Sequence, residues 1–73
     1  MNPPTTDDVY NYICLYIEEN TISPTHREIA KACFIGKSTV EKHLTRLEAQ
    51  NRIKRIFSVP RSITLIEGTD ELE

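Results

Sequence analysis

The sequence predicts a mainly α-helical domain with a small β-hairpin, in which three helices precede two short strands. Apolar residues recur at helical spacing in three segments before Arg52, and the spacing changes to every second residue after it. The chain has 73 residues, 38% of them hydrophobic, which suffices for a three-helix core and a small sheet but not for an enclosed substrate cavity. We therefore expect a single domain over residues 1–73, with an ordered core from about 5 to 66 and an acidic tail over 67–73.

The first predicted helix follows two prolines and is capped by Thr5 or Thr6, whose side-chain oxygens can accept hydrogen bonds from the first free amides. The helix is expected to end near Asn20, a residue type that tolerates the left-handed conformation of a C-cap. Four residues at helical spacing form its buried stripe: Val9, Ile13, Tyr16 and Ile17.

The second predicted helix begins with a capping box, in which the Thr25 hydroxyl and the Glu28 carboxylate each accept from the other residue's backbone amide. Its inner face consists of Ile29, Ala30 and Cys33. Residues 34–36 end this helix, and Gly36 is expected to supply the permissive backbone of a tight turn.

The third predicted helix covers residues 37–50 and has one apolar and one polar face. Val40, Leu44 and Leu47 lie at positions i, i+4 and i+7 and are expected to face the core. At about 100° per residue, the side chains directed most nearly away from the core are Ser38, Glu41, Lys42, Thr45 and Ala49.

Alternating apolar residues predict strands over 53–57 and 62–66, with a turn over 58–61 between them. A hairpin of this size is not stable alone, so it is expected to pack against the helices. The complete order, a short helix, a Gly-containing turn, a longer helix and then a hairpin, is typical of the three-helix winged helix-turn-helix fold.

The net charge of −2 conceals an uneven distribution of charge along the chain. The first 24 residues contain no lysine or arginine, whereas residues 25–61 hold all nine basic side chains against three glutamates, and the end is again acidic. Because electric fields in salt act over short distances, this basic segment is a better guide to a phosphate-binding face than the total charge. A scattered, solvated surface accounts for the charges equally well.

The third helix is the candidate reading element, since the corresponding helix of a helix-turn-helix domain presents side chains to base edges in the major groove of DNA. Outward residues with suitable donors and acceptors are Ser38, Glu41, Lys42 and Thr45. Candidate phosphate contacts are the Thr25 hydroxyl, the backbone amides of His26 and Arg27, and the side chains of Arg27, Lys37 and Arg46. Lys54, Arg55 and Arg61 fit a wing that contacts the minor groove or the DNA backbone.

Each of these candidates has an ordinary structural alternative. Glu41 and Lys42 can be solvated helix residues, and Arg46 and Glu48 can form surface ion pairs that stabilise the fold by less than about 1 kcal/mol. His43, beside the apolar face, is better explained by packing than by DNA contact. For the whole domain, the alternative is a protein–protein interaction module or a subunit of a larger regulatory complex, which the negative net charge allows.

The sequence predicts no catalytic, metal or cofactor site. Cys14 and Cys33 have no recognisable base beside them, and with His26 and His43 they lack the paired spacing of metal ligands. Two glycines do not make a phosphate-binding loop. There is no apolar run long enough to cross a bilayer and no signal-peptide pattern, so we expect a cytoplasmic, non-enzymatic protein with no membrane partner.

Four stretches of the chain resemble the N-terminal DNA-binding domain of LexA-type repressors. They are residues 5–13, residues 22–30, residues 38–48 and the strand Arg61-Ser62-Ile63-Thr64-Leu65. The combination of Pro-Thr-x-x-Glu-Ile-Ala with Arg-x-Ile-x-Leu is the more specific part. The resemblance implies a winged-helix fold, operator binding as a repressor, and a homodimer or a dimerising partner protein. By position it also implies base contacts from Ser38, Thr39, Glu41 and Lys42.

The chain departs from the family pattern in three ways. The turn before the third helix is shorter, with Gly36 displaced from the usual Leu-Gly pair, and the wing has no glycine-rich tip. The family's self-cleaving serine–lysine peptidase domain has no counterpart in these 73 residues. The resemblance therefore implies DNA binding without self-cleavage.

Overall fold

The structure, a computed structural model, describes residues 3–56 and 58–66. Its elements in chain order are α1 (Thr6–Asn20), α2 (His26–Cys33), α3 (Lys37–Ala49), β1 (Ile53–Lys54) and β2 (Thr64–Leu65). The strands pair antiparallel, with Ile53 opposite Leu65. Three helices and a hairpin in this order confirm the predicted winged helix-turn-helix class. The predicted acidic tail over 67–73, and the end of the first predicted strand at Phe57, lie outside the described residues.

Both early helices begin with a complete capping box. At α1 the N-cap is Thr5, whose hydroxyl accepts from the Asp8 amide at 3.1 Å while the Asp8 carboxylate accepts from the Thr5 amide at 2.9 Å. At α2 the predicted box is confirmed, with distances of 3.2 Å to the Thr25 hydroxyl and 2.8 Å to the Glu28 carboxylate. Each box satisfies two backbone donors that the first helical turn leaves without partners. At the other end of α1, the left-handed residue is Thr21 (φ 64°), one position after the predicted Asn20.

The turn between α2 and α3 differs from the expectation for Gly36. The left-handed residue is Phe34, with φ 60° and ψ 44°, and its amide donates to the carbonyl oxygen of Ala30. Gly36 has φ −79° and serves as the N-cap of α3, where it makes no side-chain cap. The prediction that glycine supplies the special backbone of this turn is therefore wrong, because the chain reverses direction two residues earlier.

The strands are two residues long rather than the predicted five. After Lys54 the ladder ends, and the amide of Ile56 donates to the Ser62 hydroxyl at 3.0 Å instead of to a backbone carbonyl. Left-handed conformations at Ser58 (φ 69°) and Arg61 (φ 57°) then turn the chain back. The alternating sequence pattern extends further than the pairing because the connecting segment bends away from a regular ladder.

The core lies between the three helices and one face of the hairpin. Every element or its immediate flank contributes a buried apolar side chain to it: Val9, Ile13, Ile29, Val40, Leu44, Leu47, Ile53 and Ile63. Tyr16 was predicted in the α1 stripe but is only partly buried, and its hydroxyl donates to the Glu28 carboxylate at 3.2 Å. The packing places α3 with its apolar side against α1 and α2 and leaves its opposite side in solvent.

Candidate nucleic-acid interface

The outward side of α3 presents short polar and basic side chains to solvent. Val40, Leu44 and Leu47 are fully buried and fix the rotation of the helix about its axis. The exposed residues on the other side include Ser38, Thr39, Lys42 and Thr45. Four of the five predicted base-contacting residues are therefore accessible in the first two and a half turns of α3.

A cleft of about 420 Å³ lies where the start of α2, the first half of α3 and the hairpin meet. The residues predicted to contact phosphates or to form the wing that line this cleft are Thr25, His26, Arg27, Lys37, Arg55 and Arg61. Glu41 lines it from α3, and Ile56 and Val59 line it from the hairpin. The fold thus brings most of the predicted phosphate and wing residues to one side of the molecule.

The start of α2 keeps two backbone donors available at the edge of this cleft. Its capping box uses the amides of Thr25 and Glu28. The amides of His26 and Arg27, the first two helical residues, have no acceptor four residues earlier within the helix, as at any helix N-terminus. The partial positive charge of the helix end favours an anion there, and the adjacent Arg27 side chain is exposed.

Arg55 does not extend into solvent as an isolated wing cation. Its side chain is only 10% exposed, and its guanidinium donates to both carboxylate oxygens of Glu41 at 2.9 and 2.5 Å and to Glu48 at 3.0 Å. The bidentate hydrogen bonds to Arg55 hold the pKa of the Glu41 carboxyl below its usual range, and the same carboxylates raise the pKa of Arg55.

Arg61, the other arginine predicted for the wing, also contacts the helices. Its guanidinium donates to both oxygens of the Glu28 carboxylate at 3.1 Å and to the backbone carbonyl of Ser23 at 3.0 Å. Its side chain remains 40% exposed at the cleft. The hydrogen bond from the Thr25 amide and those from Arg61 hold the pKa of the Glu28 carboxyl below its usual range.

Other predicted cations differ from Arg55 and Arg61 in their surroundings. Within the described part of the chain, Arg27, Lys37, Lys42 and Lys54 have no carboxylate within 4.0 Å. Arg46 lies away from the cleft and donates to the Thr6 hydroxyl of α1 at 3.2 Å. The same hydroxyl is 2.9 Å from His43 Nδ1, which agrees with the interpretation of His43 as a packing residue.

The ion-pair cluster around Arg55 was missed by sequence reasoning. Sequence reasoning assigned Glu48 only an unspecified surface ion pair, whereas its partner in the structure, Arg55, lies seven residues away on the hairpin. Glu41 and Arg55 are separated by fourteen residues and meet only because the hairpin packs on α3. A signal existed in the three basic residues between 52 and 55, but it did not specify which of them turns inward.

A family model for the LexA DNA-binding domain matches residues 4–62 of this chain. The chain belongs to the LexA DNA-binding domain family. A LexA repressor from Clostridium botulinum is 41% identical over 68 residues, which cover 92% of this chain and 34% of the relative. LexA repressors from Listeria welshimeri and Listeria monocytogenes are each 37% identical over 67 residues, covering 90% of this chain and 33% of each relative. The chain spans about a third of the length of these curated relatives.

The LexA match includes every predicted base, phosphate and wing residue, since all of them lie between Thr25 and Arg61. Across residues 3–56 and 58–66, no group of three or more His, Cys, Asp or Glu side chains is arranged to hold a metal ion. In the same residues, no helix combines the length and hydrophobicity needed to cross a bilayer.

Proposed function

We propose that this LexA-family domain binds double-stranded DNA sequence-specifically and regulates transcription as a repressor, with α3 in the major groove and the hairpin as its wing. The observation that carries the proposal is the exposed polar side of α3, which lies beside cations that have no carboxylate partner in the described residues. A solvated helix surface explains the polar residues, but it gives no reason for Arg27, Lys37 and Lys42 to have no carboxylate within 4.0 Å among residues 3–56 and 58–66, in a chain of negative net charge.

In this proposal, Ser38, Thr39, Lys42 and Thr45 contact base edges. Lys42 is the principal donor, because the acceptors of guanine in the major groove suit an ammonium group, while hydroxyls serve as donors or acceptors. Glu41, the fifth predicted residue of this side, differs from the others because Arg55 engages its carboxylate.

Phosphate contacts then fix the register of the domain on the duplex. The Arg27 and Lys37 side chains and the free amides of His26 and Arg27 are the proposed contacts at the cleft. The Thr25 hydroxyl, which accepts within the capping box, still has its proton to donate to a phosphate. Arg46 on the α1 side and Lys54 and Arg61 of the hairpin contact the strands that flank the reading helix.

The domain is proposed to act in pairs, either with a second copy or through a dimerising partner protein. A single module of this type buries about 600–1,000 Å² on DNA, which limits the affinity of one copy. Two copies on half-sites one helical turn apart would double the contacts. The cytoplasmic location predicted from the sequence agrees with a DNA target and stays a prediction.

Two lysines of α3 provide a matched test of this arrangement. Lys37→Met should weaken binding to all duplexes alike and reduce the slope of log affinity against log salt by about 1, because it removes a phosphate contact. Lys42→Met should reduce binding of the preferred duplex by about 1–3 kcal/mol and affect random duplex much less, because it removes a base contact. The measurement is fluorescence anisotropy of labelled duplexes at two salt concentrations, with the preferred duplex taken from a selection of random sequences.

DNA binding by the unmodified protein, measured at two salt concentrations, tests the proposed function itself. Specific binding that weakens steeply with salt supports the proposal. If the protein shows no binding at low salt, or shows affinity that does not depend on salt, the DNA-binding function is wrong and the alternative of a protein-interaction module takes its place.

A further inference from the structure

The guanidinium of Arg55 in the hairpin segment and the carboxylate of Glu41 on α3 form an ion pair, which we call the clamp. It joins the wing to the reading helix. Three guanidinium nitrogens of Arg55 each donate to a carboxylate of α3: Nη1 and Nη2 to the two oxygens of Glu41, and Nε to Glu48. With its side chain 10% exposed, Arg55 is the least solvated ion-paired side chain among the residues that the structure describes. A planar guanidinium held at three points leaves little freedom to its partner carboxylate.

Two further side chains enclose the same carboxylate. His26 Nε2 lies 3.4 Å from Glu41 Oε1 and 3.2 Å from Arg55 Nη1, so α2 contributes to the cluster as well. The Thr45 hydroxyl, one turn further along α3, donates to Glu41 Oε2 at 3.4 Å. Both oxygens of Glu41 therefore have partners within the protein before any DNA is present.

Glu41 nevertheless occupies a position from which a free carboxylate would read DNA. It lies on the outward side of α3 between the exposed residues Ser38 and Thr45, and its side chain is 46% exposed. A carboxylate there could accept from the amino group of cytosine in the major groove. To do so it would have to leave Arg55, and a guanidinium that is only 10% exposed would lose the two hydrogen bonds it makes to Glu41, a loss that opposes the gain of one base contact.

We propose that Arg55 is a specificity-determining positioning residue, which holds the Glu41 carboxylate against the wing and so prevents the reading helix from selecting cytosine at that position. The inference rests on the proposed DNA-binding function. The clamp also neutralises a carboxylate that would otherwise repel the phosphates of the duplex. Base preference at this point of α3 is then set by Ser38, Lys42 and Thr45, with Glu41 excluded by a residue of the hairpin.

The test compares base preferences of the full 73-residue chain and its variants by selection from random duplex DNA, followed by anisotropy on the selected duplexes. Arg55→Gln releases Glu41 and should create a preference of about tenfold for cytosine at one position. The double variant Arg55→Gln/Glu41→Gln should lack that preference. Lys54→Gln, which removes a cation from the neighbouring position without touching Glu41, should lower affinity for all sequences and create no new preference.

The single variant Glu41→Gln provides a second, independent experiment in which Arg55 is retained. It should leave the selected sequence as it was, while binding to all duplexes strengthens and depends more steeply on salt, because the substitution removes the negative charge that offsets Arg55 and repels phosphates. Thermal unfolding of each variant shows whether it is folded. If Arg55→Gln does not fold, the Glu41→Gln experiment alone decides whether the inference holds.

The inference is overturned if Glu41→Gln alone removes a base preference, or if folded Arg55→Gln and the double variant select the same sequences. Failure of the unmodified protein to select any sequence is a different result, since it rejects the proposed function rather than the role of Arg55.

Discussion

Phe34 combines two features that are unfavourable for its residue type. It adopts the left-handed conformation at the C-cap of α2, which costs a residue with a β-carbon about 1–2 kcal/mol, and its side chain is 92% exposed. Glycine usually occupies such a position because it has no β-carbon to clash with the carbonyl oxygen. The strain is local to the turn that sets the direction of α3 relative to α2.

Replacing Phe34 with glycine should therefore stabilise the protein. We expect Phe34→Gly to raise the free energy of unfolding by about 0.5–1 kcal/mol, the relief of strain less the greater freedom of glycine in the unfolded chain. Urea denaturation followed by circular dichroism measures this change. Phe34→Ala is the matched control, since it removes the aromatic ring but keeps the β-carbon, and it should leave stability nearly unchanged. Equal stabilities for the two variants would mean that the backbone is not strained.

At the scale of elements, three arginines between residues 52 and 61 connect the hairpin segment to the helices, one arginine to each helix. Arg52 pairs with Asp7 of α1 at 2.6 Å, Arg55 pairs with Glu41 of α3, and Arg61 pairs with Glu28 of α2. Two strands of two residues do not hold a hairpin by themselves. The position of the wing relative to the helices is therefore set by these long-range pairs together with the burial of Ile53 and Ile63.

The pair between Arg61 and Glu28 predicts a specific pH dependence. Because the folded state lowers the pKa of Glu28, its contribution is present above the pKa of the unfolded chain and is lost as pH falls through the lowered folded-state value. The protein should lose stability between about pH 5 and pH 3, and Glu28→Gln should lose less over the same interval. Urea denaturation at several pH values measures the difference. Glu19→Gln, at an exposed position of α1, controls for the removal of one carboxylate. A Glu28→Gln profile as steep as that of the unmodified protein would contradict the prediction.

At the scale of the whole molecule, one small core supports every feature of the proposed interface. Among residues 3–56 and 58–66, eight buried apolar residues form it, and a domain of 73 residues is expected to have a free energy of unfolding of about 4–11 kcal/mol. α3 contributes three of the eight, so the residues that orient the reading helix are also those on which folding depends.

The same substitution at a buried and at an exposed leucine measures how much burial contributes to stability. Leu44 is fully buried in α3 and Leu15 is 52% exposed on α1. Leu44→Ala should reduce the free energy of unfolding by about 2–5 kcal/mol, because it leaves a cavity in the core. Leu15→Ala should change it by about 0.5 kcal/mol or less. Thermal denaturation of both variants provides the comparison, and a similar loss in each would place Leu15 in a packed environment that the structure does not show.

The sequence by itself determined the features that depend on near neighbours. The inward positions Val40, Leu44 and Leu47 follow from helical spacing, and the capping box at Thr25 follows from hydrogen bonds between residues three apart. These local rules also identified the outward side of α3, because burying one side of a helix fixes the direction of the other. The resemblance to LexA DNA-binding domains places this side of α3 within the matched residues, and its role in base contact stays a proposal.

Only the tertiary structure decided which cations face solvent and which are bound within the protein. Arg55 and Arg61 have the same side chain as Arg27, yet each pairs with a glutamate that is 14 or 33 residues away in the chain. Such contacts form when the hairpin packs on the helices, and no local pattern specifies them. The choice of Phe34 over Gly36 as the left-handed residue, and the bend after Lys54 that ends the strand pairing, were likewise visible only in the structure. The physical reason is that periodicity fixes the orientation of a side chain within its element, whereas its partner is fixed by the packing of elements distant in sequence.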